Sequence, residues 1–151
     1  MIPSVLTRYY APATHPDAAS WGLLAVRLTM GAAFALHGVG KIADPMGWMG
    51  PDAAVPGVFQ ALAAVAEFGG GIALMLGLLT PLAAFGILCT MTVALGMVHF
   101  PAHHAFVGAT PGEPAFELPL IYWALALLLM LVGPGRYALD AFLFRPRSAS
   151  F

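Results

Sequence analysis

The sequence contains very little charge. Lys, Arg, Asp and Glu together make up 9% of its 151 residues, whereas an ordinary soluble domain has about 25%. The net charge is −1 and there is no run of basic residues that would neutralise phosphates, so we expect no nucleic-acid partner. A single cysteine, Cys89, excludes an internal disulfide and a Cys-x-x-Cys redox pair.

Familiar catalytic and targeting motifs are also missing. The sequence has no Gly-x-Ser-x-Gly, no phosphate-binding loop and no dinucleotide-binding glycine pattern. The first 20 residues contain Arg8 but no apolar stretch after it, which is not typical of a secretory signal. We therefore expect no intrinsic cofactor, and any electron transfer would depend on a partner protein or a bound quinone.

Apolar residues, by contrast, are abundant. Hydrophobic residues make up 60% of the chain, and the mean hydropathy is +0.86. Four apolar runs are long enough, the last one barely, for a hydrocarbon core that needs about 20 helical residues. We predict an all-α fold, a four-transmembrane-helix bundle, with spans at about 21–42, 57–79, 82–100 and 116–132.

These spans define the domain organisation. We predict a membrane domain over residues 20–144, which ends in a short helix after the Gly133-Pro134-Gly135 break. An irregular arm over residues 1–19 precedes this domain, and a tail over residues 145–151 follows it.

The distribution of basic residues predicts the orientation. The terminal segments carry most of them, namely Arg8, Arg136, Arg145 and Arg147. An even number of spans puts both termini on one side, and the positive-inside rule makes that side the cytoplasm. We therefore expect a multi-pass protein of a bacterial-type inner (plasma) membrane.

The first predicted span carries polar residues on one face. Helical spacing places Arg27, Met30, Phe34, His37 and Lys41 on a single stripe. A charged side chain at membrane depth costs several kcal/mol unless it finds a partner or water. The remaining spans must therefore supply an acid that faces this stripe.

Glu67 in the second predicted span is the candidate acid. At about 1.5 Å per residue, Arg27 lies roughly 10 Å and Glu67 roughly 15 Å from the inner face of a 30 Å core. This difference is about one helical turn, so we predict that Glu67 pairs with Arg27.

The second span is also rich in small residues. Ala63, Gly70 and Gly77 recur every seven residues, and Ala66 forms a small-xxx-small pair with Gly70. Small residues let membrane helices approach closely. The glycines beside Glu67 either admit a neighbouring helix or leave room for a ligand.

Four polar residues are predicted to converge at the outer ends of the spans: His37, Lys41, His99 and Glu117. One interpretation is that they satisfy one another and that Lys41 extends to the interface. Another is a ligand or quinone pocket, in which His37 or His99 bonds to a carbonyl or hydroxyl oxygen.

A metal site is the third interpretation, with His99, His103 and His104 as candidate ligands, since imidazole suits zinc and copper. Pro101 interrupts the spacing of these histidines, and there is no His-Glu-x-x-His motif. We therefore expect no metal.

The order of the polar and glycine motifs resembles the DoxX family of small four-helix membrane proteins. The motifs are Arg27, then His37-Gly38-x-Gly-Lys41, then Glu67-Phe-Gly-Gly-Gly71 followed by Leu-Gly-Leu-Leu-Thr-Pro, and finally Gly-Pro-Gly-Arg-Tyr-x-Leu-Asp140. The resemblance covers about residues 25–140 and implies a four-span inner-membrane protein associated with redox chemistry, as in the subunit of a thiosulfate:quinone oxidoreductase. It also implies a polar core formed by Arg27, His37, Lys41, Glu67 and Asp140.

Asp140 has two interpretations. It lies four residues after Arg136, which is the spacing of an exposed helical ion pair. Alternatively, Asp140 folds back toward the inner end of the bundle near Arg27.

We expect the protein to be an accessory, quinone-linked subunit of an oxidoreductase complex. The alternative is a non-catalytic membrane subunit, such as a chaperone, that binds lipid or a partner helix. The expected partners are membrane lipid, a bound quinone, and either another protein or a second copy of the chain.

Overall fold

The computed structural model describes residues 15–53 and 55–144. Most of the predicted N-terminal arm, including Arg8, lies outside the described residues. The predicted tail with Arg145 and Arg147 also lies outside them.

The described part of the chain is helical and contains no β-strand, only an isolated bridge between Ala105 and Ala115. The predicted all-α class is therefore confirmed. The helices are α1 (Asp17–Ala43), α2 (Gly57–Leu76), α3 (Thr80–Val93) with a π-helical continuation (Ala94–His99), α4 (Glu117–Val132) and α5 (Leu139–Leu143).

Three of these helical segments are long and apolar enough to cross a membrane, namely α1, α2 and the continuous Thr80–His99 segment. The fourth apolar helix, α4, has 16 residues, or about 24 Å at 1.5 Å per residue. Large apolar side chains point outward, as shown by Leu36 at 75% and Leu131 at 73% exposure. Such a surface suits lipid and would be unusual on a soluble domain.

A tight turn makes α2 and α3 antiparallel neighbours. Gly77 adopts the left-handed conformation (φ 66°) that commonly ends a helix. Its N–H donates to the carbonyl of Leu74, and the N–H of Leu78 donates to the carbonyl of Ala73. Pro81 then lies in the first turn of α3, where its missing N–H costs nothing.

Glycines bring the helices into close contact. A Cβ atom on Gly71 would lie 2.5 Å from the backbone nitrogen of Ala35 in α1. A Cβ on Gly70 would instead lie 3.5 Å from the carbonyl oxygen of Ala83 in α3. The glycine run beside Glu67 thus packs against a helix on each side, as one of its two interpretations predicts.

Gly38 provides a direct test of the contact between α1 and α2. A Cβ on Gly38 would lie 2.5 Å from the backbone nitrogen of Phe68, and backbone atoms cannot move aside as a side chain can. We expect Gly38→Ala to lower the free energy of unfolding in detergent by about 1–3 kcal/mol, the usual cost of overpacking.

Gly40 is the matched control on the same helix, because nothing lies within 4 Å of a Cβ at that position. Gly40→Ala should be neutral or slightly stabilising, since Ala favours a helix more than Gly does. Equal unfolding free energies for the Gly38 and Gly40 variants would contradict the close approach.

The apolar core lies between the helices and includes Met30, Phe34, Leu74, Ile87 and Leu129. Buried polar side chains interrupt this core, namely Ser20, Arg27, Gln60, Glu67, Thr80 and Asp140, each at most 4% exposed. Buried charge is costly unless it is paired, so these residues mark the places where a site is built.

Candidate functional site

The buried polar residues form two clusters at opposite ends of the bundle. We call the end where residues 44–56 join α1 to α2 the loop end. We call the opposite end, where α1 begins and α4 ends, the terminal end.

The loop-end cluster is an ion pair between Lys41 of α1 and Glu67 of α2. The Lys41 Nζ atom lies 2.6 Å from each Glu67 carboxylate oxygen. The Lys41 side chain is 23% exposed and the Glu67 side chain 5%. The Trp48 ring covers the ammonium group, with Nζ 4.4 Å from the ring centroid, which adds a cation–π attraction.

Gln60 fixes the loop that covers this ion pair. Its side chain accepts a hydrogen bond from the N–H of Met49 (3.1 Å) and donates one to the carbonyl of Val55 (2.8 Å). The Trp48 indole N–H donates to the backbone carbonyl of Gln60 (3.1 Å). Gln60 was not among the predicted site residues, although a lone amide one turn into an apolar helix is a signal that could have revealed it.

The predicted pair between Arg27 and Glu67 is wrong, because Glu67 binds Lys41 instead. The depth estimate assumed that α1 and α2 meet end to end at the loop. In fact the turns that follow α1 lie beside the first turn of α2. A Cβ on Gly57, the first residue of α2, would lie 2.9 Å from the carbonyl oxygen of Met46 in these turns. This offset places Glu67 opposite the last turn of α1.

The terminal-end cluster surrounds Arg27, which is 0% exposed. Its Nη2 atom donates a hydrogen bond to the carbonyl of Tyr137. Asp140 is a nearby negative charge, but no hydrogen bond or ion pair joins it to the guanidinium within the described residues. Gly77 leaves the space for the guanidinium, because a Cβ at that position would lie 1.8 Å from Nη1.

Asp140 connects the C-terminal segment to the turn between α2 and α3. Its two carboxylate oxygens accept hydrogen bonds from the backbone N–H groups of Leu79 (2.6 Å) and Thr80 (2.7 Å). Its own N–H donates to the carbonyl of Gly77 (2.9 Å). The carboxylate thus satisfies free N–H groups at the start of α3, where the helix dipole favours negative charge.

Of the two interpretations of Asp140, the structure supports the fold-back toward Arg27 and contradicts the helical pair with Arg136. Ala138 is extended, so residues 136 and 140 do not share a continuous helix. Arg136 instead forms an exposed ion pair with Asp17 near the start of α1.

The other predicted site residues do not join these clusters. His37 is exposed on α1 and lies beside Phe34, with ring centroids 6.4 Å apart. Glu117 is half-buried at the start of α4. Within the described ranges, no hydrogen bond or ion pair connects His37, Lys41, His99 and Glu117 as their predicted convergence would require.

His99 contacts His104, with their Nδ1 atoms 3.0 Å apart. His103, the third candidate ligand, is exposed. Residues 15–53 and 55–144 contain no group of three or more His, Cys, Asp or Glu side chains arranged to hold a metal.

Helices of spanning length, an apolar outer surface and a buried ion pair between two of the helices define a multi-pass α-helical membrane protein. The DoxX family model matches residues 22–100, more than half of the sequence, and the chain belongs to the DoxX family. It is similar to an uncharacterized protein of Haemophilus influenzae, with 33% identity over 123 residues that cover 80% of this chain and 89% of that protein. No solved structure matches the chain.

Proposed function

We propose that this DoxX protein is an accessory, quinone-linked subunit of a membrane oxidoreductase complex, and that the quinone head group binds at His37. The observation that carries the proposal is the position of His37. Its imidazole is exposed on a helix of spanning length, and it makes no hydrogen bond within the described residues.

A polar ring that faces acyl chains is unfavourable unless a polar group meets it. His37 lies one helical turn before Lys41, on the same face of α1. The adjoining loop-end cluster therefore places an ion pair close to this exposed imidazole. A quinone carbonyl is a hydrogen-bond acceptor that fits a neutral imidazole donor.

The proposed role divides the chemistry between this chain and a partner. Reduction of a quinone to a quinol takes up two electrons and two protons. The sequence contains no redox-cofactor motif, so the two electrons would come from a partner subunit and the two protons from water. This chain would bind and orient the head group through His37 and would stabilise negative charge on the quinone oxygen through Lys41.

The same proposal includes the topology. Four helices cross a bacterial-type inner membrane, with both termini in the cytoplasm. The basic residues of the terminal segments support this orientation, among them Arg136 at the terminal end. The loop end and His37 then lie in the outer half of the bilayer.

A fluorescence titration tests quinone binding. A short-chain ubiquinone or menaquinone analogue is added to the protein in detergent, and quenching of Trp48, which covers Lys41, reports binding. We expect His37→Ala to weaken binding about tenfold, because the loss of one hydrogen bond costs about 1.4 kcal/mol. His37→Gln, which keeps a donor, should recover part of the affinity.

His103→Ala is the matched control, since His103 is an exposed histidine in the loop after the π-helical turn. This variant should bind quinone as the unmodified protein does. Equal affinity in the His37 and His103 variants, or no quinone binding by any of them, would contradict the proposal.

A specific feature favours the second candidate, a non-catalytic subunit that binds lipid or a partner helix. Helix α1 packs extensively against α2, and α4 packs extensively against α3. Helices α1 and α4, however, have few contacts with each other. One of these contacts is the edge-to-face pair of Phe34 and Tyr122, with centroids 5.0 Å apart. The sparse packing between α1 and α4 would let an acyl chain or a helix insert between them.

Native mass spectrometry of the purified protein separates the two candidates. A copurified quinone that is lost in His37→Ala supports the first candidate. A retained phospholipid or polypeptide that does not depend on His37 supports the second.

A further inference from the structure

The contact between His99 and His104 is not used by the proposed quinone site. Their Nδ1 atoms are 3.0 Å apart, and the ring centroids are 5.1 Å apart at an interplanar angle of 73°. Two neutral imidazoles make such a contact when one Nδ1 carries the hydrogen and the other presents its lone pair. Two metal-binding nitrogens are therefore already directed at each other.

The backbone around these histidines sets their positions. His99 is the last residue of the π-helical turn Ala94–His99, and such turns are frequent at functional sites. The N–H of His104 donates to the carbonyl of His99 (3.1 Å). His103, between them, has the unusual positive φ of 53° for a residue with a side chain. The chain thus turns after His99 and brings the two rings together, although residues 99–104 do not form a continuous helix across Pro101.

We propose that His99 and His104 bind a single zinc or copper ion through their Nδ1 atoms. Metal–nitrogen bonds are about 2.0–2.1 Å long. When the nitrogen–metal–nitrogen angle lies between a right angle and the tetrahedral angle, the two nitrogens are about 3 Å apart. The observed separation is 3.0 Å. Imidazole is a ligand that suits both ions, and copper(II) binds more tightly than zinc in the divalent series.

Binding needs a change of tautomer in the neutral pair and a rotation of the rings, so that the two Nδ1 lone pairs converge on the metal instead of pointing at each other. Both rings carry their hydrogen on Nε2 when both Nδ1 lone pairs face the metal, so no net proton is released. The described residues contain no group of three or more His, Cys, Asp or Glu side chains arranged to hold a metal, so water or an external ligand would fill the remaining positions. The site is therefore open, as catalytic or ion-receiving sites are, rather than closed like a structural zinc site.

Copper titration of the tag-free protein in detergent, followed by electron paramagnetic resonance, tests this site. We expect one copper(II) ion per chain, with a nitrogen hyperfine pattern of two imidazoles. His99→Ala and His104→Ala should each weaken binding at least tenfold and reduce the pattern to one nitrogen. His103→Ala is the matched control and should leave affinity and spectrum unchanged.

The folding of each variant is checked by its elution volume and helical circular dichroism. If an alanine variant does not fold, His99→Gln or His104→Gln replaces it, since an amide keeps the polar contact but is a poor ligand for copper. Copper stoichiometry near zero in the unmodified protein would overturn the proposal. Equal weakening by the His103 variant, or unchanged binding in the His99 and His104 variants, would also overturn it.

Discussion

Replacing Asp140 with alanine is expected to lower the free energy of unfolding in detergent by about 3–5 kcal/mol, because two buried N–H groups lose their acceptor at about 1–3 kcal/mol each. Asp140 is 0% exposed and accepts two backbone hydrogen bonds at the start of α3. The variant removes the negative charge that lies near the buried guanidinium of Arg27. It also leaves the N–H groups of Leu79 and Thr80 unpaired, and each unpaired group adds desolvation cost.

Two further variants control for this result. Asp140→Asn keeps an oxygen that can accept one hydrogen bond but loses the charge, so its stability should be intermediate. Asp17→Ala removes the carboxylate of an exposed ion pair, in which the side chains of Arg136 and Asp17 are 54% and 67% exposed. Exposed pairs contribute less than about 1 kcal/mol. Equal losses for Asp140→Ala and Asp17→Ala would contradict the buried cluster.

Replacing Glu67 with alanine is expected to cost about 2–4 kcal/mol of unfolding free energy, because Lys41 is then left unpaired beneath Trp48. The expected loss is smaller than for Asp140, since Lys41 is 23% exposed and its ammonium can extend toward water. Chemical unfolding in mixed micelles measures the change.

Glu117→Ala is the matched control for Glu67, because Glu117 is half-buried and its carboxylate makes no hydrogen bond or ion pair in the described part of the chain. This variant should change stability little. The exchanged pair, Lys41→Glu with Glu67→Lys, should recover part of the stability that Glu67→Ala loses. The ion pair would be contradicted if the exchanged pair recovered no stability and Glu117→Ala lowered the free energy of unfolding as much as Glu67→Ala does.

The helical architecture could be predicted from the sequence because its signals are local. Runs of apolar residues, the glycines and the Gly133-Pro134-Gly135 break identify the helices without any knowledge of their packing. The requirement that Arg27 and Glu67 have partners was also evident, since charge at membrane depth is costly whatever the arrangement.

The identity of those partners depends on the register between helices, which is not a local property. The turns after α1 shift α2 by more than one helical turn, so Glu67 lies opposite Lys41 and not Arg27. The partner of Arg27 comes from a segment more than 100 positions away, through the backbone carbonyl of Tyr137. A backbone acceptor has no signature in the sequence.

The contact between His99 and His104 was missed for a related reason. Regular helical spacing would have indicated the contact from the sequence, but Pro101 interrupts the spacing of His99, His103 and His104. The π-helical turn and the positive φ of His103 bring the rings together by another route. Neither feature has a strong sequence signal.

The measurement that tests the central claim most directly is a pair of double-mutant cycles on unfolding free energy, one for Lys41 with Glu67 and one for Arg27 with Glu67. Two separate ionic clusters predict a coupling energy of at least about 1 kcal/mol for Lys41 with Glu67, and additivity within about 0.5 kcal/mol for Arg27 with Glu67. Strong coupling between Arg27 and Glu67 together with additivity between Lys41 and Glu67 would contradict it.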